Sequence, residues 1–438
     1  MKIKLINIVT VLGVWLTLPG PALAQSASLD PTIKAGSDRI EQDVIQWRHY
    51  FHQNPELSNR EFNTSKRVAT QLQEMGLDVQ TGIAHTGVVG ILKGGKPGPV
   101  VALRADMDAL PVEEKTGLTF ASTVRANYLG QDVGVMHACG HDAHIAILLG
   151  TAKVLSDMKA QIPGTIKFIF QPAEEGAPPG EKGGAKLMIE EGVLGGTYKP
   201  AAIFGLHVWP DEAGVIKYRA KGAMAAADNL KIIVHGKQAH GSSPWVGVDP
   251  IIVSAQIMTA LQLIPSRQLN ITTAPSVITI GSIHGGVRGN IIPAEVIMNG
   301  TIRTFDVGVR EELLHRLQRT VTAIAESAGA SAEIIIDPYA PVTYNDPTLT
   351  AKMLPSLEKA VGKENVTGST LIMGAEDFSF FQEKIPGLYV FLGVKQDGVA
   401  AEEAASNHSP YFYVNDRALK NGVRTLSTLA FDYLAASQ

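Results

Sequence analysis

The chain is short of cysteine, of charge and of long apolar runs, and each shortage excludes something. One cysteine, Cys139, stands in 438 residues, so no intramolecular disulfide can form. Charged residues make up 18% and the formal net charge is −4. That balance offers neither the basic field that nucleic acid needs nor a polybasic stripe for a membrane surface. Past the first residues, no run approaches the roughly 20 apolar residues that cross a bilayer. No internal repeat or low-complexity tract is visible. Hydrophobic residues reach 45%, a globular composition far from that of a disordered chain. The length predicts two to three domains at ~150 residues each.

The first residues read as an address. Lys2 and Lys4 precede an apolar run from about Ile6 to Leu18, which Pro19, Gly20 and Pro21 break before Ala22-Leu23-Ala24. This order predicts a signal peptide over residues 1–24 and a secreted or periplasmic protein. A lone thiol in an exported protein then needs a reason, either buried packing or metal ligation.

Downstream, the mature start is polar to about Asp38 and reads as loose. Arg39–Phe51 and Thr64–Met75 have helical spacing, the second stopped by Gly76. Short apolar runs at Val100–Leu103, Thr165–Phe170, Ala201–Leu206 and Leu388–Leu392 alternate with helical patterns such as His144–Met158. Near-continuous apolar strands alternating with helices predict an α/β domain whose largely parallel sheet is covered on both faces. From about residue 225 the strands alternate polar and apolar positions instead. The order β-α-β-β-α-β there predicts a small α+β, ferredoxin-like sandwich. The expected division is a first catalytic segment at 25–224, an inserted domain at 225–337, and a second catalytic segment at 338–438.

Acids, imidazoles and the thiol collect where apolar strands end. Asp106 and Asp108 follow the first of these strands, Glu174 and Glu175 the second, and His207 the third. His137, Cys139, His141 and His144 crowd the start of the next helix, and His408 precedes the last one. In open α/β sheets, sites form beyond the carboxyl ends of strands. Each residue alone has a plainer reading: a packed thiol, a capping histidine, a solvated Glu-Glu pair, a turn aspartate. Together, Cys139, His141, Glu175, His207 and His408 offer a mixed N/O/S set for two divalent ions such as Zn, Mn, Co or Ni, with Glu174 left free. A free carboxylate facing a bound water is suited to general base and then general acid. His144 is a candidate to support the ligands, and Asp106 and Asp108 read as a ligand and its support or as simple loop and turn aspartates. In the inserted stretch, His240 is a candidate oxyanion donor, Asn290 an exposed amide and Arg303 a carboxylate clamp, each alternatively an ordinary loop, turn or strand-end residue.

These motifs occur in a recognisable order: Arg104-Ala-Asp-Met-Asp-Ala-Leu-Pro111, His137-Ala-Cys-Gly-His-Asp-Ala-His144, Gln171-Pro-Ala-Glu-Glu-Gly176, Gly205-Leu-His207, Ala239-His-Gly241, Asn290-Ile-Ile-Pro293, Gly300-Thr-Ile-Arg303 and Asn407-His-Ser-Pro410. The chain resembles the amidohydrolase branch of the aminoacylase and glutamate-carboxypeptidase metallopeptidases, which holds hippurate hydrolases, N-acyl-L-amino-acid amidohydrolases and auxin-conjugate hydrolases. The resemblance spans roughly residues 38–436. It implies a zinc-exopeptidase-like catalytic domain with a two-metal site on Cys139, His141, Glu175, His207 and His408, and Glu174 as acid/base. It implies an inserted domain that mediates a homodimer and brings His240 to the partner's site, with Asn290 and Arg303 holding substrate. Where the wider family begins its first metal motif with His-x-Asp, this chain has Asp106-Met107-Asp108, which argues against ligation by Asp106. Asp377 also fits a family pattern, as a helix cap or a support to the ligands. The implied substrates are N-acyl amino acids. Alternatives are a dipeptidase or carboxypeptidase with the same site, a cysteine hydrolase using Cys139 with His141, and an exported metal-binding protein without turnover.

Overall fold

The structure, a computed structural model, describes residues 30–437; the signal-peptide reading of residues 1–24 lies outside them. An eight-stranded sheet organises the chain. Its four central strands, in spatial order Pro163–Gln171, Lys96–Asp106, Ala202–Trp209 and Gly387–Gly393, run parallel. Asp78–Ile83 and Gly87–Lys93 close one edge antiparallel, and Ile216–Tyr218 with Val366–Gly368 close the other. Alternate residues serve opposite faces. Val101, Leu103 and Ala105 join one core cluster, while Ala102 joins the other. The helices His141–Asp157 and Leu419–Ala435 cover the first face, and Gly184–Glu190 and Phe378–Gln382 the second. The helix His141–Asp157 is buried on nearly all sides, which its continuous run of Ile, Leu and Ala permits.

The chain leaves Lys96–Asp106 toward one edge of the sheet and Ala202–Trp209 toward the other. The switch point, where ligand crevices form in such sheets, falls between these two strands.

A second sheet holds Ser276–Gly285, Glu295–Thr304, Ala226–His235 and Ser331–Ala340 in that spatial order, all antiparallel. The helices Pro250–Leu261 and Val307–Ser327 pack on one face through Ile257, Leu313 and Leu317 against Leu230, Ile232 and Val234. Asp249 and Asp306 start these helices by accepting hydrogen bonds from the Ile251 and Val309 amides, the preferred N-cap chemistry. The last strand runs to Ala340, three residues past the expected limit of 337.

Two local expectations fail. From Asp30 on, the stretch before Asp38 is not loose: Asp30–Arg39 is a helix that buries Ile33 and Ser37. Its overall polarity hides two contact positions four residues apart, and tertiary packing supplies what propensity does not. The strand expected to stop at Leu206 continues to Trp209, so His207 lies within it, paired with Phe391.

Candidate metal centre

The carboxyl ends of the central strands and the first turn of His141–Asp157 meet at one cavity of about 860 Å³, lined by Cys139, Glu174, Glu175, His207, Arg303, Tyr339, Glu376 and His408 among others. Cys139 and His141 flank Gly140, whose φ is +88° and whose missing Cβ would fall 2.3 Å from Val208 Cγ2. Only glycine fits that left-handed, crowded position, so the thiol and the imidazole converge because the residue between them has no side chain. His408 arrives from the far end of the chain. Its backbone is also left-handed (φ +70°), its amide donates to the Ala138 carbonyl at 2.8 Å, and Asn407 Nδ2 donates to the Cys139 carbonyl at 3.2 Å.

Three buried histidines are oriented by their second nitrogen. His141 Nδ1 donates to the Asp108 carbonyl at 2.8 Å, leaving Nε2 unpartnered. His207 Nδ1 donates to the Val208 carbonyl at 2.7 Å, leaving Nε2 3.5 Å from Cys139 Sγ. Both rings thereby turn Nε2 toward the cluster, the arrangement that metal-binding imidazoles show. His144 is different: Nε2 accepts from the Val208 amide at 2.8 Å and Nδ1 donates to Asp106 Oδ1 at 2.5 Å. Both its nitrogens are committed, so it holds Asp106 in place. His137 is buried with neither nitrogen partnered. It lies outside every trio of close ligand atoms, and burial pushes its pKa down to about 4.

The acids divide in the same way. Asp108 accepts from the Glu174 and Glu175 amides at 3.0 Å each and from the Ser58 hydroxyl at 2.7 Å, which fixes the loop carrying both glutamates. Asp106 accepts from Arg104 Nη1 at 2.6 Å as well as from His144. Arg104 itself is fully buried and also reaches Glu376 and Asp377, at 3.0 and 2.9 Å. Asp377 does not cap the helix Phe378–Gln382 through its side chain. It accepts from Arg104, from Gln171 Nε2 and from the Ala185 amide, which commits its oxygens elsewhere.

These donors fit cations. Ligand atoms of Cys139, His141 and His207 lie within 4.8 Å of one another, as do those of Cys139, Glu175 and His408, and of His141, Glu174 and Glu175. His141 Nε2 is buried without a partner, and Glu175 Oε1 stands 3.0 Å from His408 Nε2 without hydrogen-bonding geometry. Burial first, then Glu376 and Glu175, raise the Glu174 carboxyl far above the usual carboxylate range. Burial, Glu175 and Glu174 do the same to the Cys139 thiol. Burial lowers the His207 imidazole, which stays neutral. Against the downward push of burial, Asp106 and Asp108 lift His141 to about 10. A thiol, two aimed imidazoles and crowded carboxylates form a soft-to-borderline set that positive charge would relieve.

The remaining sequence candidates separate. Arg303 lines the cavity and makes no side-chain hydrogen bond or ion pair among the described residues. His240 and Asn290 are exposed and lie together, with the Gly241 amide on the Asn290 carbonyl at 2.9 Å, but neither lines the cavity. His240 Nδ1 accepts from the Ser242 amide at 3.1 Å, so the neutral ring carries its proton on Nε2. Sequence reasoning missed Glu376, which is 1% exposed, borders the cavity and offers an oxygen within 4.8 Å of Asp106 and Glu174. Its signal was the Glu376-Asp377 pair, read there for its second member alone.

Known proteins resemble this chain along most of its length. "Thermostable carboxypeptidase 2" of Saccharolobus solfataricus is 43% identical over 92% of this chain and 98% of its own. "N-acetylcysteine deacetylase" of Bacillus subtilis is 37% identical over 88% and 96%. The crystal structure of the YxeP protein of Bacillus subtilis, described as a dinuclear metal binding peptidase, superposes with a TM-score of 0.76 at 34% identity, covering 91% of this chain and 99% of that one. The model of peptidase family M20/M25/M40 matches residues 102–432, and the chain belongs to that family.

Proposed function

We propose that this protein hydrolyses the amide bond of N-acyl amino acids, releasing a carboxylic acid and a free amino acid. One observation carries the reading. A single cavity joins the candidate ligands Cys139, Glu175, His207 and His408, the Glu174 carboxylate, and the unpaired cationic side chain of Arg303. His141 completes the ligand set from just behind. Two divalent cations held by these five residues would supply a water of lowered pKa and polarise the scissile carbonyl.

Glu174 is held by its own backbone, not its carboxylate. Asp108 pins its amide, so the side chain is free to take a proton from the attacking water and pass it to the leaving nitrogen. Arg303 clamps the free carboxylate of the substrate, a bidentate task suited to guanidinium. His240, with its proton on Nε2, donates to the developing oxyanion. Because His240 does not reach the cavity of its own chain, the reading needs a second copy to deliver it. The Bacillus relative named as a deacetylase supports removal of an acyl group from an amino acid.

A second reading, hydrolysis of a C-terminal peptide bond, draws on the relative named as a carboxypeptidase. The deciding assay strips the protein with chelator and restores Zn, Mn, Co or Ni singly. It then compares rates on N-acyl amino acids and on peptides sharing the same C-terminal residue. Faster cleavage of the N-acyl substrates supports the first reading, and faster cleavage of the peptides replaces it with the second. Activity that survives chelation and dies on thiol alkylation would move the chemistry to Cys139. Export rests on the pattern of residues 1–24 and is checked by sequencing the N-terminus of the mature protein.

A further inference from the structure

Beside the metal cavity lies a second one that the chemistry above does not use. It opens to solvent and shares Glu175 as a wall with the first. The apolar side chains on its wall are Leu57, Leu110, Pro111, Leu129 and Pro178, with the ring of Tyr128 beside them.

Three polar side chains on its wall are engaged within the chain. The Ser58 hydroxyl donates to Asp108 at 2.7 Å. Arg60 is paired with Glu181 at 2.6 Å. Asn127 Oδ1 accepts from the Gly130 amide at 3.1 Å. Ladder contacts hold the floor, Leu57 bridging Ala109 and Leu110 bridging Met136.

The outer wall carries an independent sign. Arg125–Tyr128 and Gln131–Gly134 form a hairpin whose two-residue tip is Leu129-Gly130, with φ of +53° and +82°. Asn, Asp or Gly normally occupies the first such position, since a larger side chain is strained there. Leu129 is nonetheless leucine and is 64% exposed at the rim of the cavity. A strained, exposed apolar residue beside a site marks a functional demand on its side chain.

We propose that this cavity receives the acyl group and that Leu129, with Tyr128, selects acyl groups that are apolar and longer than acetyl; the assignment rests on the amidohydrolase reading. The amino acid's carboxylate lies on the Arg303 side and the acyl chain on the opposite side of Glu175. An acyl chain loses water against the leucines and the two prolines. A dipeptide would instead bring an α-ammonium toward a wall whose one carboxylate, Glu175, is a candidate metal ligand.

The test uses metal-loaded protein and one amino acid carrying acetyl, butanoyl, hexanoyl or benzoyl groups, with a dipeptide of the same C-terminal residue alongside. Each buried methylene is worth about fourfold in kcat/KM, so the wild-type rate should climb at least about tenfold from acetyl to hexanoyl. Leu129→Gly relaxes the turn, so the fold is retained. It should remove most of that climb while leaving acetyl within about twofold. Tyr128→Ala should act in the same direction, and Leu129→Asp should shift preference toward the dipeptide. A flat wild-type series, or a Leu129→Gly series parallel to wild type, overturns the cavity assignment and leaves the amidohydrolase reading standing. Turnover of the dipeptide with none of the acyl substrates removes the amidohydrolase reading itself.

Discussion

The buried histidines of the metal centre and the exposed His240 make opposite use of the same side chain. His141, His144 and His207 each have a ring nitrogen fixed by a carbonyl, an amide or a carboxylate of their own chain. Their orientation is settled before any ligand arrives. The His240 ring is held only by Ser242, two residues away, and its backbone lies in a two-residue strand paired with Ile291–Ile292. Preorganisation is thus concentrated where charge must be gathered; His240, in its proposed role at the oxyanion, would have to arrive with a second copy.

This contrast is tested most forcefully at Glu174. Glu174→Gln should lower kcat by three orders of magnitude or more, on the order seen when an essential proton carrier is lost, while metal content by elemental analysis stays at the wild-type level. Loss of metal together with rate would instead make Glu174 a ligand.

His240→Ala should cost roughly 10²–10³ in kcat, the usual toll of an oxyanion donor. Mixing it with inactive Glu174→Gln protein should restore turnover, because a mixed dimer contains one site with both groups intact. No recovery after subunit exchange, verified by mass, would place His240 in its own chain's reaction or in none.

Asp108→Asn keeps the shape but weakens the anchoring of both glutamate amides. A drop of roughly 10- to 100-fold in metal affinity is expected, as for other groups that orient ligands, with a smaller change in kcat for metal-saturated protein. Unchanged affinity would show that the Glu174–Glu175 loop holds itself.

The mildest change lies on the far side of the helix His141–Asp157. His52 is buried between Asp142 and Glu114, at 2.9 and 3.0 Å. Burial opposes its protonation, but Asp142 outweighs burial and raises it to about 9. Because the folded value exceeds the ordinary one near 6.5, this contribution is complete below about pH 6.5 and disappears as pH climbs through about 9. It amounts to about 3 kcal/mol at most. Urea unfolding at pH 6 and pH 10 should show the fall, and His52→Gln should flatten it.

Much of this was legible in the chain itself. Continuous apolar runs gave away the central strands, because a strand buried on both faces has no polar side to show. The β-α-β-β-α-β order of the inserted sheet survived into the structure with boundaries shifted by a few residues. The donors were visible as strand-end acids and imidazoles. What stayed hidden were partnerships over long separations. Arg104 appeared only as the first residue of a motif, and its partners Glu376 and Asp377, from the last fifth of the chain, show only once the sheet closes. The Asp30–Arg39 helix was missed because its contact positions lie within a polar pattern. The cavity of Leu129 was missed because a hairpin of two four-residue strands leaves almost no periodicity to read.

Arg104 carries a consequence for biosynthesis. Its guanidinium sits in the sheet floor with acids that the ribosome adds some 270 residues later. Until those residues emerge, the strand Lys96–Asp106 would bury a cation with Asp106 as its main counter-charge. The sheet's final assembly therefore waits for the carboxyl-terminal stretch, and chains stopped before Glu376 are expected to accumulate as insoluble or protease-sensitive material.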